Sequence, residues 1–152
     1  MTTNSTEPLT VVRLTAEQHE RLRRHLFPGD GKESVALALC GTRCGQARHV
    51  YCVHEILEIP DAACISRSPT HVRWPVERGM QFYGIAAKRG MVVMKVHSHP
   101  DGSNHFSRLD DESDAALLGS LSRWSDPPRQ QISAFMLPDG TIHARLVDES
   151  AR

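Results

Sequence analysis

The sequence predicts an α+β or mixed-sheet domain, with strands and helices interleaved. Three observations carry that expectation. Apolar runs of strand length at 33–40 and 91–96 alternate with segments of helical periodicity. Those runs are nearly continuous rather than alternating, which suits strands covered on both faces. The chain closes with two strand-like segments around Pro138-Asp139-Gly140, a turn that makes at least one strand pair antiparallel. A chain of 152 residues is one domain long. At that size it can bury about 68–70% of its unfolded surface without staples.

The elements follow in order. Residues 1–8 are polar and read as a disordered N-terminus, with a single domain over 9–150. A short β-type run spans 9–14. Thr15 and Gln18 form the two ends of a capping box, so a helix starts there and runs to about Phe27. It stops before the breaker cluster Pro28-Gly29-Asp30-Gly31, and its narrow apolar stripe is Leu22, Leu26 and Phe27. The run 33–40 is a buried strand, 41–46 a turn, and 49–59 the next strand. Residues 60–69 read as loop and 71–74 as a short strand. Pro75 fits the start of a helix over 76–88, with Met80, Tyr83, Ile85 and Ala87 as buried candidates and Gly90 as its cap. The strand 91–96 leads into His97. A polar loop follows, and 107–124 reads as a helix with Asp110, Asp111 and Glu112 in its acidic first turn. Residues 132–137 and 141–147 are the closing hairpin. Trp74 and Trp124 are expected to pack, and His105 to face solvent.

Bulk properties narrow the function. Lys plus Arg is 18 and Asp plus Glu is 18, which argues against a nucleic-acid partner held by bulk charge. The nearest basic patch, Arg21, Arg23, Arg24 and His25, reads as a solvated helix face. No apolar stretch is long enough to span a bilayer, and the N-terminus lacks a signal-peptide core. The expectation is a cytoplasmic protein without a membrane partner. Cys40, Cys44, Cys52 and Cys64 have no C-x-x-C spacing and read as buried or incidental thiols, with a second metal site on Cys40 and Cys44 poorly supported.

The chemistry concentrates in one stretch. His97-Ser98-His99-Pro100 is followed, after seven residues from His99, by Ser107 and then by Asp110. Two histidines at i and i+2 on a strand point to the same side. A loop can return Asp110 as a third ligand. Two imidazoles and one carboxylate leave a fourth tetrahedral position open, the arrangement of a catalytic zinc rather than a structural one. Zinc there would bring the pKa of a water to about 7. A hydrolase also needs a base, and a carboxylate beside the metal serves well. Ser107 three residues before Asp110 is also a helix-cap signature.

The pattern H-x-H, Ser, Asp with an upstream Glu resembles the JAMM motif of the JAB/MPN metalloprotease family, over roughly residues 9 to 147. Glu33 before a strand ending in Gly41 resembles that family's first core strand. The resemblance implies the α+β MPN/JAB, cytidine-deaminase-like fold, a mixed curved β-sheet flanked by helices. It implies one Zn²⁺ per chain on His97, His99 and Asp110, with Asp110 rather than Asp111 at the family spacing. It also implies Glu33 as general base and Ser107 as a donor to the oxyanion. Active members cleave after the C-terminal glycine of ubiquitin or a ubiquitin-like protein. The minimal chain looks like the compact prokaryotic branch, with deubiquitinase-like peptidases encoded beside ubiquitin-like conjugation systems, antiphage operons of the Bil type among them. The expected function is thus a zinc isopeptidase whose partner is a ubiquitin-like protein or its conjugates. The substrate tail would add as a strand along a sheet edge. A homodimer fits the family. Two readings stand beside it: a zinc amidohydrolase on a small molecule or a sulfur-carrier adduct, and a non-catalytic MPN scaffold.

Overall fold

A computed structural model describes residues 9–150; the expected disordered tail 1–8 lies outside the described residues. Six strands form one sheet in the order β1-β3-β2-β6-β7-β8. They are β1 (Leu9–Arg13), β2 (Val35–Cys44), β3 (Arg48–Glu58), β6 (Val92–Ser98), β7 (Gln131–Met136) and β8 (Ile142–Val147). The β1–β3 and β6–β7 pairs are parallel and the rest antiparallel. A separate hairpin pairs β4 (Ser66–Ser68) with β5 (His71–Arg73). The helices are α1 (Ala16–Leu26), α2 (Met80–Arg89) and α3 (Arg108–Trp124).

Side-chain alternation divides the core into two layers. Ala36, Ala38, Cys40, Met94, Val96, Ala134 and Met136 face α1 through Leu22 and Leu26. Val35, Leu37, Leu39 and Val93 face the other way, against Phe82 and Ala86 of α2 and Leu117 and Leu121 of α3. Both faces of β2 and β6 are therefore covered, which is why their sequences lack alternation. α3 is the crossover between the parallel strands β6 and β7, and this carries it over the site-bearing end of β6.

The helix starts follow their caps. Thr15 and Gln18 complete the reciprocal capping box at α1, and Gly90 closes α2 in the left-handed conformation at φ 65°. Four expectations need correction. The expected turn at 41–46 is mostly strand: β2 continues through Gly41 to Cys44, past a register shift at Leu39/Cys40. Its outer end is exposed, so its residues are polar. A Cβ at Gly41 would meet the exposed His54 ring at 2.8 Å, so a larger residue there would displace that ring. The 60–69 loop contains a 3₁₀ turn, Asp61–Ala63, and β4. A 3₁₀ turn, Val76–Gly79, precedes α2. That turn rotates the helix so that Phe82 and Ala86 reach the core while Met80 and Ala87 are exposed. Trp74 packs as expected, but Trp124 ends α3 at the surface, 72% exposed.

Candidate metal centre

His97 lies at the end of β6, in register with Val35 of β2 and Phe135 of β7. His99 follows just beyond the strand, its N–H donating to the Met136 carbonyl at 2.9 Å. Between them Ser98 points the other way, and its hydroxyl accepts the Ser34 N–H at 2.9 Å. The Ser98 N–H returns a bond to the Ser34 carbonyl at 3.1 Å. His99 Nδ1 lies 2.7 Å from the Ser103 carbonyl. A carbonyl only accepts, so Nδ1 carries the proton and Nε2 presents a lone pair inward. Phe135 stacks on the His99 ring at 4.0 Å and 9°, fixing its plane.

Asp110 comes from the first turn of α3. Ser107 is the N-cap: its hydroxyl accepts the Asp110 N–H at 3.0 Å, and Asp110 Oδ2 accepts the Ser107 N–H at 2.8 Å. The Ser-x-x-Asp spacing thus does two things at once. It starts the helix and turns the carboxylate back toward the histidines.

The inward atoms form a tight triangle. His97 Nε2 to His99 Nε2 is 3.0 Å, His97 Nε2 to Asp110 Oδ1 is 3.1 Å, and His99 Nε2 to Asp110 Oδ2 is 3.3 Å. Ligands about 2.0–2.1 Å from a tetrahedral zinc sit roughly 3.3 Å apart, so the set fits such an ion. All three residues are buried, and among the described residues they are the group able to hold a metal. Electrostatics agrees. Desolvation raises the Asp110 carboxyl, but the neighbouring His97 and His99 imidazoles and the Ser107 N–H outweigh it and hold it well below the usual carboxylate range. Burial lowers the His97 imidazole. At His99 burial also pulls down, but Asp110 and the Ser103 carbonyl prevail and leave it raised.

Glu33 lines the same pocket of about 40 Å³ with His97, Asp110, Lys95 and Trp74. Burial, then the charge of Asp110, pushes its carboxyl up to about 8. The neighbouring cations are already engaged: Lys95 with Asp114, Arg67 with Asp30. A Glu33 carboxyl with no cation of its own beside the His97, His99 and Asp110 triangle suits a cation held by that triangle. The Glu33 backbone is clamped. Its N–H donates to the Ser68 carbonyl at 2.8 Å. Arg67 donates to the Glu33 carbonyl at 2.7 Å and to the Ser34 hydroxyl at 2.9 Å.

The structure therefore brings Glu33, His97, His99, Ser107 and Asp110 together. Asp111 is turned away, paired with Arg145 at 2.8 Å. His105 is exposed. The cysteines take no part; burial pushes the Cys40 thiol up to about 12. Sequence reasoning missed Phe135, Arg67 and Lys95. Lys95 at i−2 from His97 was a usable signal, being a charge inside an apolar strand. Phe135 depends on β6–β7 register and Arg67 on the β4–β5 hairpin, and neither is written locally.

The profile described as prokaryotic homologs of the JAB domain matches residues 15–145. Among solved structures, a protein of Desulfitobacterium hafniense determined in solution is similar in fold. The TM-score is 0.58 at 17% identity, over 94% of this chain and 87% of that one. No curated protein matches.

Proposed function

The chain belongs to the prokaryotic JAB family, and from that premise we propose that it is a zinc-dependent isopeptidase acting after the C-terminal glycine of a ubiquitin-like protein. The observation that carries the reading is the buried His97, His99 and Asp110 triangle with Glu33 in the same pocket. Zinc held by those three residues would act as a Lewis acid toward the scissile carbonyl and acidify water. Glu33 takes the proton of the attacking water as the new C–O bond forms, then delivers it to the departing amine as the C–N bond breaks. Ser107 uses a lone pair to cap α3 and keeps its O–H to donate to the oxyanion.

The substrate class is supported by a groove of about 410 Å³ that continues from the pocket past His71, Val72, Trp74 and Leu109. Ile65, Val76 and Leu109, at 63%, 45% and 56% exposure, line it. Exposed apolar side chains gathered along one groove suit a peptide rather than a small polar molecule. β5 pairs on one side only, with β4, so its other edge is free to take an extended tail as a further strand.

The test is cleavage of a ubiquitin-like protein carrying a short extension past Gly-Gly, with and without a zinc chelator, beside Glu33→Ala. Chelator-sensitive cleavage after the glycine, lost in the variant while one zinc stays bound, is the expected result. Zinc binding with no cleavage of any ubiquitin-like tail would remove the substrate assignment and favour a small-molecule amidohydrolase. Cleavage that survives in Glu33→Ala would remove the base.

A further inference from the structure

We infer that Lys95 and Asp114 form a positioning pair that sets Asp110 over the two histidines. The inference rests on the metal-binding reading above.

Sheet register lays out two adjacent rows. His97, Phe135 and His143 are lateral neighbours on β6, β7 and β8, and Lys95, Ser133 and Arg145 form the next row. Same-face residues on a strand are two positions apart, roughly 6.7 Å. Residues i and i+4 on a helix are about 6 Å apart along the axis. The steps match, so α3 offers Asp110 to the first row and Asp114 to the second. His97 meets Asp110 at 3.1 Å, and one rung away Lys95 forms an ion pair with Asp114. Lys95 Nζ also donates to the Ser113 hydroxyl at 3.1 Å. The other Asp114 oxygen takes Arg145 Nη2 at 2.8 Å.

The pair is sealed from solvent, with side-chain exposures of 4% and 2%. Burying two charges recovers little stability, and apolar residues of like volume often serve the fold as well. The pair's distinctive property is direction. Apolar surfaces tolerate a small slide of a helix along a strand, whereas an ammonium caught between Asp114 and Ser113 does not. A slide of α3 along β6 would carry Asp110 off the histidines. Asp114 also occupies the ammonium two residues from His97, which leaves the Asp110 carboxylate to the imidazoles.

The experiment compares wild type, Lys95→Met and Asp114→Asn, each checked for fold by circular dichroism. Zinc affinity is measured by chelator competition, and the visible d–d spectrum is recorded after cobalt loading. Supporting groups around metal ligands typically control affinity by 10–100-fold. The expected result is folded variants whose zinc Kd rises at least about tenfold, with an altered cobalt spectrum, and whose effects do not add in the double variant. A merely structural pair would lower thermal stability and leave the spectrum and affinity unchanged, and that outcome overturns the inference. Should Lys95→Met fail to fold, Asp114→Asn decides alone, since it keeps its shape and a partner in Arg145. If wild type binds no zinc, the metal reading itself falls. Wild-type binding with unaffected variants removes only the positioning pair.

Discussion

Glu33 carries a penalty in the metal-free fold. Its carboxyl is raised from 4.5 to about 8, first by burial and then by Asp110. Between those values the folded chain holds a proton that the unfolded chain has released. Stability present below about pH 4.5 is therefore lost as pH rises through about 8. Glu33→Gln removes that proton and should flatten the curve. Denaturant unfolding in chelator at several pH values checks this: the variant's advantage over wild type should be near zero at pH 4 and grow toward pH 8. A constant difference would mean that Glu33 stays solvated. Glu33 was visible in the sequence through the resemblance to the JAMM motif, since one carboxylate before an apolar run is a weak signal alone. Its clamp was not, because Arg67 reaches it across 34 residues.

At the scale of elements, the N-terminus of α3 is where local sequence and tertiary site coincide. The capping box could be read from Ser107 and Asp110 alone, and it accounts for the ligand's direction. Ser107→Ala should cost about 1 kcal/mol of stability as a lost cap. Zinc should remain, because the backbone N–H that holds Asp110 Oδ2 survives the change. If the hydroxyl also serves the oxyanion, turnover should fall by about 10²-fold or more, the usual cost of one such donor. A loss of only a few-fold, with matching stability change, would make Ser107 a cap and nothing else. α2 shows where local reading fails. Its period was legible, but the 3₁₀ turn before it changed which face meets the sheet. Gly79 sits at the pivot, where a Cβ would meet Leu37 and Tyr83 at 2.5 Å.

For the whole molecule, the two apolar layers on opposite faces of the sheet form without any of the ligand residues. Removing metal with a chelator should therefore leave the far-ultraviolet circular dichroism unchanged. Restoring zinc should raise Tm in proportion to the logarithm of its concentration above Kd, as expected for an ion that binds only the folded chain. Unfolding on chelation would contradict the independence of the core. No helix among the described residues is long and apolar enough to cross a membrane. The strands of the sheet were largely legible, since β2, β3, β6, β7 and β8 each announce themselves by apolar runs or a turn. Their order was not. Nothing near Val92 says that β6 sits between β2 and β7, because sheet order follows from how α1, α2 and α3 cover the two faces.

The Lys95–Asp114 pair, the neutralised carboxyl of Glu33 and the crowded imidazoles all burden the resting fold, and none belongs to either apolar layer. A lineage selected for thermostability alone would shed this group first, exchanging it for aliphatic side chains at little cost to the remaining architecture. The site is thus carried by the frame without holding it together. A chain with apolar residues at these positions would keep the frame and the apolar groove beside β5.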